Sequence, residues 1–254
     1  MHKLSVIVPV YNDGEFIYRN VHECVKELQK YGSNFEIIVV DDGSTDNTLE
    51  EAKLVKSPYV KVVGYPTNSG KGYAIKYGAQ FVTGTAVTFL DGDLDLPPRN
   101  LQRFFPYLEK ADIVIGSKRH PKSKVKYPLK RKILSFGYYT LVKLLFGLGV
   151  SDTQTGMKLM TKEFMDRVLP KVLVKRYAFD LELLVVGKKY GFKFAEAPVD
   201  LNQHYTNSKI NLKAIKNIFI DTMAIAYRMY WLGYYDKGNN KSYAIDKSIS
   251  TLNH

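Results

Sequence analysis

Three aspartates, Asp91, Asp93 and Asp95, stand two residues apart directly after the apolar run Ala86-Val87-Thr88-Phe89-Leu90. If that run is a buried strand, alternate side chains just beyond its end turn toward one point. Carboxylates crowded in this way repel one another unless a cation sits between them. A hard divalent ion with oxygen ligands, shared with a bound phosphate, is the usual solution. Asp91, Asp93 and Asp95 are therefore candidate ligands for Mg2+ or Mn2+. The same stretch also suits an acidic turn closed by Pro97-Pro98. A metal-bound diphosphate needs further positive charge, and Lys71, Lys118, Arg119 and Lys209 are the candidates to supply it. Gly70-Lys71-Gly72 would let backbone approach a ligand closely. It lacks the earlier glycine and the following hydroxyl residue of a Walker A loop, and reads more simply as a turn. Asp41 and Asp42 could accept hydrogen bonds from a base or ribose. Together with Ser44, Thr45 and Asp46 they could equally cap a helix.

The elements that must position these groups follow from hydrophobic patterning. Leu4-Ser5-Val6-Ile7-Val8-Pro9-Val10, Phe35-Glu36-Ile37-Ile38-Val39-Val40, Val60-Lys61-Val62-Val63-Gly64 and 86–90 read as buried parallel strands. Helices are predicted over 15–30, after Thr45-Asp46-Asn47-Thr48, and over 73–82. Strands and helices alternating at this spacing predict a mainly parallel sheet covered on both faces. Ligands of such sheets bind beyond the carboxyl ends of the strands, where the loops at Tyr11, Asp41 and Asp91 all fall. Further on, Ile113-Val114-Ile115-Gly116-Ser117 reads as a strand followed by a basic loop. Helices are predicted over 129–146, from Phe179, and over 212–231, and a strand near 192–199. The helices at 129–146 and 212–231 are amphipathic, basic and rich in tyrosine. Such helices lie in a lipid headgroup layer or pack on a sheet with the same periodicity.

Composition narrows the field. A chain of 254 residues with 45% hydrophobic and 24% charged residues is a folded protein and not a disordered one. Its 37 basic and 25 acidic residues leave a net charge of +12, which points to an anionic partner such as phosphate ligands, nucleic acid or an anionic membrane. Cys24 is the only cysteine, which excludes an intrachain disulfide and a cysteine-built zinc site. It lies on the stripe of Val21 and Leu28 and reads as core. The start Met1-His2-Lys3-Leu4 leads straight into a strand, so no signal peptide is expected, and no window is apolar enough for a membrane span. One domain is expected over 1–236, divided into a donor half (1–120) and an acceptor and membrane-interface half (121–236). A polar tail is expected over 237–254. The expected location is the cytoplasmic face of a membrane, as a peripheral protein.

With these residues in hand the chain resembles the inverting family-2 glycosyltransferases of GT-A fold. Val6-Ile7-Val8-Pro9-Val10-Tyr11-Asn12-Asp13, Val40-Asp41-Asp42-Gly43-Ser44-Thr45-Asp46, Gly70-Lys71-Gly72 and Asp91-Gly92-Asp93 occur in that family's order and approximate spacing. Asp152-Thr153-Gln154-Thr155-Gly156-Met157-Lys158-Leu159, the stretch around Phe179-Asp180-Leu181-Glu182, and Asn207-Ser208-Lys209 are similar to its dolichyl-phosphate glucosyltransferase branch. They are less similar to the dolichyl-phosphate mannose synthases.

The resemblance implies transfer of a hexose from a nucleotide diphosphate to a polyprenyl or dolichyl phosphate, with UDP-glucose favoured as donor over GDP-mannose. It implies that Pro9, Tyr11, Asp13, Val39 and Asp41 hold the nucleoside. Asp91, Gly92 and Asp93 would hold the sugar and the metal-bound diphosphate, with Asp95 as a further ligand. Lys118 stands where related enzymes carry a phosphate-binding Arg, with Arg119 beside it, and Lys209 matches another basic residue near the phosphates. Arg131 and Ser135 match an acceptor-phosphate region, and Asp152, Gln154, Asp180 and Glu182 are expected to bind the sugar or orient the acceptor. An acceptor phosphate is already anionic, so no general base is required. A saccharide hydroxyl as acceptor would need one, such as Asp180. A nucleic-acid-binding module would account for the charge but not for three carboxylates beside the basic loops.

Overall fold

The computed structural model describes residues 2–123, 129–175, 177–202 and 212–236, and for 129–133 and 212 the backbone alone. The expectations for the Arg131 side chain, for Lys209 and for the tail over 237–254 lie outside the described residues.

In chain order the elements are β1 (Leu4–Val10), α1 (Ile17–Gln29), β2 (Phe35–Asp42), α2 (Thr48–Lys53), β3 (Val60–Tyr65), α3 (Lys71–Ala79) and β4 (Ala86–Phe89). A 3-10 turn at Pro98–Arg103 precedes α4 (Phe105–Leu108), β5 (Ile113–Ser117), α5 (Leu129–Phe146), β6 (Lys158–Thr161) and α6 (Lys162–Val168). The series closes with α7 (Phe179–Lys189), β7 (Phe194–Pro198) and α8 (Leu212–Tyr230). Seven strands form one sheet in the order β3-β2-β1-β4-β6-β5-β7. Neighbours run parallel except at β6, which is antiparallel to both β4 and β5. The sheet is thus mainly parallel, as the alternating pattern predicts.

Because side chains alternate across a strand, each strand feeds two cores. Ile7, Ile38 and Val40 point to one face, where α3, α6 and α7 cover them. Val6, Val8, Ile37 and Val39 point to the other, under α1 and α2. On α1 the apolar stripe of Ile17, Val21, Cys24, Val25 and Leu28 is buried along its whole length. Burial pushes the Cys24 thiol up to about 12, with Glu27 and Glu23 adding to the shift, so the core reading of this residue holds and the thiol is inert.

Three labelled elements were not expected from the sequence: α4, β6 and α6. β6 is four residues long and begins with a lysine, and α6 follows it without a loop. A strand this short carries too few residues to show a period, and a charged residue inside it hides the apolar run.

Candidate active site

The parallel register of β1, β2 and β4 brings the loops after all three to one end of the sheet, with Val10 paired to Asp41 and Ile7 to Phe89. These loops are laced together. Asn12 N–H donates to the Ser44 hydroxyl at 2.9 Å, Asp13 N–H to Thr48 Oγ1 at 2.7 Å and Thr45 N–H to Asn12 Oδ1 at 2.8 Å. Asp46 accepts from Thr48 N–H at 3.1 Å and from Gly14 N–H at 3.2 Å, so it caps α2 and also pins the β1 loop.

The two aspartates ending β2 divide their roles. Asp42 is buried and accepts from Ser69 N–H at 2.7 Å and Gly70 N–H at 2.9 Å, so it fixes the turn that starts α3. Gly70 has φ +93°, a conformation that favours glycine. Asp41 is buried beside Ser44, and its carboxyl is raised above the ordinary aspartate range by burial, which outweighs the hydrogen bonds from Ser44. Tyr11 is exposed at the rim and Pro9 is half-buried, whereas Val39 is wholly buried in the core. Val39 lies in the sheet between β1 and β3, so only its backbone is open to the contact with a nucleoside that the resemblance implies.

At the end of β4 the Lys71 ammonium pairs with the Asp91 carboxylate. Burial works against the Lys71 charge, but Asp91, Asp180 and Asp93 outweigh it and hold the amine above the ordinary lysine range. Burial likewise works against the Asp91 charge, and Lys71, Lys158 and Lys118 overcome it and hold the carboxyl low. Gly156 lies against this pair. A Cβ there would stand 2.5 Å from Asp91 Oδ2 and 3.5 Å from Lys71 Nζ, so the loop after α5 approaches as backbone alone. Asn20, on α1, donates to the Gly92 carbonyl at 2.9 Å and holds the acidic loop from below.

Asp91, Asp93 and Asp95 do not stand together as three side chains around one point. The sheet ladder stops at Phe89, and the chain turns at Asp91, where Leu94 N–H bonds the Asp91 carbonyl at 3.0 Å and Leu94 takes φ +52°. The two-residue periodicity of a strand does not continue through the aspartates. The Asp95 backbone N–H donates to Asp93 Oδ1 at 3.1 Å and its backbone carbonyl accepts from Asn202 N–H at 3.0 Å. Among the described residues no group of three or more His, Cys, Asp or Glu side chains stands together to hold a metal. The donor set nevertheless fits a divalent cation that takes part of its shell from a phosphate. Asp93 is exposed, and the Asp13 carboxyl is raised first by burial and then by the charge of Asp93. The repulsion from Asp93 within that shift is one a cation between them would relieve.

On the far side, Lys118 places its charge near Asp91 while its N–H donates to Asp152 Oδ2 at 3.1 Å. Arg119 lies 5.0 Å over the Tyr139 ring and donates to Ser135 at 2.7 Å, which ties the basic loop to α5. Asp152 is taken up within its own loop, accepting also from Thr155 Oγ1 at 2.6 Å and Gln154 N–H at 3.2 Å. Gln154 donates to the Tyr138 hydroxyl at 3.2 Å, and that hydroxyl meets Thr222 Oγ1 at 3.1 Å. Burial pushes the Tyr138 hydroxyl up to about 12. One loop therefore lies against Asp91 at Gly156 and bonds α5 through Gln154 and Tyr138, whose hydroxyl in turn meets Thr222 of α8.

Asp180 and Glu182, expected to bind the sugar or orient the acceptor, are each engaged by partners inside the protein. Lys158, at the start of β6, is wholly buried and pairs with Asp180 at 2.6 Å, donating also to the Thr155 carbonyl at 2.6 Å. Glu182 is wholly buried and accepts from Leu173 and Val174 N–H groups at 2.7 and 2.6 Å, from Arg228 at 2.9 Å and from Tyr235. Both acids face into the protein because the cations that neutralise them arrive from β6 and α8. Lys158, Asn20 and Gly156 had no site role assigned from sequence, and Asp42, read as a possible base or ribose acceptor, is taken up by Ser69 and Gly70. A lysine between Met157 and Leu159 was the available signal, since a charge in an apolar run must find a partner.

α5 and α8 leave much of their apolar surface open. Phe136, Leu144, Phe219, Ile220, Tyr230 and Trp231 are exposed, Leu144 at 80% and Trp231 at 74%. Lys143, Lys213 and Lys216 are exposed on the same two helices. Among the described residues no helix is long and apolar enough to cross a membrane.

Residues 5–169 match the family described as Glycosyl transferase family 2, and the chain belongs to that family. It is 32% identical over 242 residues to a dolichyl-phosphate beta-glucosyltransferase of Trichomonas vaginalis, covering 87% of this chain and 70% of the relative. It is 29% identical over 257 residues to the dolichyl-phosphate beta-glucosyltransferase of Saccharomyces cerevisiae, covering 91% and 76%. Among solved structures, glucosyl-3-phosphoglycerate synthase from Mycobacterium tuberculosis in complex with Mn2+, UDP-glucose and phosphoglyceric acid superposes with a TM-score of 0.65. That match has 18% identity and covers 89% of this chain and 79% of the other, and it establishes the GT-A architecture.

Proposed function

We propose that this protein transfers glucose from UDP-glucose to a polyprenyl phosphate of the dolichyl type at a membrane surface, with inversion at the anomeric carbon. The observation that carries this reading is the loop 151–157, which abuts the Lys71–Asp91 pair through Gly156 and bonds the two open apolar helices through Gln154, Tyr138 and Thr222. A donor site built into the same loop as a lipid-facing surface suits an acceptor whose phosphate is polar and whose tail is not. The names of the relatives at about 30% identity agree with it.

Asp13 and Asp41 face the nucleoside, with Tyr11 at the rim. Asp93, with Asp91 and Asp13 beside it, holds Mg2+ or Mn2+, which when bound stabilises charge on the leaving diphosphate. Lys71 neutralises phosphate charge from the other side, and Lys118 and Arg119 stand where the acceptor phosphate approaches. Since that phosphate is anionic at neutral pH, the protein's task is to align the two reactants and hold charge, with no proton to remove. The exposed apolar and basic residues of α5 and α8 dock on the cytoplasmic face of the bilayer and admit the lipid. A screen of UDP-glucose and GDP-mannose against a short polyprenyl phosphate and a free saccharide, with Mg2+ or Mn2+, tests this. UDP release with the polyprenyl phosphate alone is expected; GDP release, or transfer only to the saccharide, would refute it.

A further inference from the structure

Lys71 opens α3, and what holds that end of the helix in place is not the sheet alone. Gly72 N–H donates to the Lys175 carbonyl at 2.8 Å, and a Cβ on Gly72 would stand 2.8 Å from the Val174 carbonyl oxygen. The segment 173–175 is thus the wall against which the first turn of α3 rests. On its other side Leu173, Val174 and Lys175 line a cavity of about 870 Å³ shared with Asn217 and Arg228 of α8. A single carboxylate holds two of the wall's backbone N–H groups. Glu182 Oε2 accepts from both Leu173 and Val174 N–H groups, and Oε1 accepts from Arg228 and Tyr235. A buried carboxylate with two backbone donors and a guanidinium has all its bonds defined, and such charge-assisted bonds are the strong ones.

We propose that Glu182 is a positioning residue for the donor site: through segment 173–175 and Gly72 it sets where Lys71 stands against Asp91 and the donor phosphate. Through Arg228 and Tyr235 the same carboxylate anchors the end of α8 that carries the exposed aromatic residues. The hydrogen bonds run without a gap from α8 to Glu182, to the 173–175 wall and to the first turn of α3. This rests on the reading of Lys71 as a donor-phosphate ligand.

A double-mutant cycle on the affinity for UDP-glucose with Mn2+, measured by titration calorimetry, tests it. Glu182→Gln keeps the shape but loses the charge. It is expected to weaken donor binding about tenfold, in the range that small misplacements of a binding group produce. In a Lys71→Met background the same change is expected to add less than about twofold, because the residue through which it acts is gone. A role confined to stability would lower the melting temperature and leave the affinity of the folded fraction unchanged. Unchanged affinity, or equal weakening in both backgrounds, overturns the proposal. Should Glu182→Gln not fold, Arg228→Met takes its place in the cycle, with hydrogen exchange of the peptide over 70–75 read alongside. Faster exchange at Gly72 together with weaker donor binding is expected, and wild-type values for both overturn the linkage. The exchange arm needs no donor, so a wild-type chain that fails to bind UDP-glucose would refute the functional reading while the linkage is still judged.

Discussion

The loops at the ends of β1, β2 and β4 and the outer faces of α5 and α8 are built on opposite plans. In the first region nearly every polar group is spoken for: Asp42 holds Ser69 and Gly70, Asp46 holds Gly14 and Thr48, and Asn20 holds Gly92. In the second, large apolar side chains such as Phe219 and Trp231 stand in the open. The contrast is sharpest between two helices with similar sequence patterns. The α1 stripe is covered by the sheet, while α8 buries Thr222, Ile225 and Ala226 and leaves Ile215, Phe219 and Ile220 exposed. A preorganised polar end suits a small anionic ligand, and an open apolar face rimmed with lysines suits a lipid surface.

The largest expected effect falls in the polar region. Asp93→Asn is expected to lower turnover about 10³-fold or more, the scale of losing a group that stabilises developing charge. Because Asp93 is exposed, its unfolding curve is expected to match the wild type. Activity within tenfold of wild type with saturating Mn2+ would remove Asp93 from the site. Beneath it, Asp180→Ala is expected to cost about 3–5 kcal/mol in urea denaturation, since it strands the wholly buried Lys158 ammonium. A loss under about 1 kcal/mol would show that Asp180 faces the ligand instead.

Next comes a pH effect. Lys76 on α3 is buried, and burial lowers its amine to about 8, with Glu182 opposing and Lys175 adding to the shift. A folded-state pKa below the unfolded value of 10.5 penalises folding fully below pH 8, and the penalty fades as pH rises to 10.5. Wild type is therefore expected to gain up to about 3 kcal/mol relative to Lys76→Met between pH 7.5 and 10, read from paired denaturation curves. A constant difference across that range would contradict the burial of a charged amine. The smallest expected effect lies on the open face. Phe219→Glu combined with Trp231→Glu is expected to reduce binding to anionic vesicles about tenfold or more in a flotation assay, with UDP affinity unchanged. Undiminished flotation would return those helices to the status of ordinary surface.

What was legible in the sequence follows the same division. β1, β2 and β4 are continuous apolar runs and the acidic and glycine motifs sit at their ends, so the gathering of these loops at one end of the sheet was legible. The role of each acid could not. Asp91, Asp93 and Asp95 look equivalent by spacing, but the turn at Leu94 ends the strand geometry and Lys71 engages one of them. Asp180 and Glu182 stand out as charges in an apolar helix. Their partners come from residues 22 and 46 positions further along or back, a separation that no local pattern displays. Which amphipathic helices face solvent depends on whether the sheet is wide enough to cover them, and helical periodicity is the same in either case.

The most direct test is structure determination of the protein soaked with UDP-glucose and Mn2+, using the anomalous signal of the metal. The expected result is a manganese peak bound by Asp93, with the diphosphate between it and Lys71 and the uridine against Tyr11 and Asp41. A manganese peak remote from Asp93, or a donor bound away from the ends of β1, β2 and β4, would contradict the account.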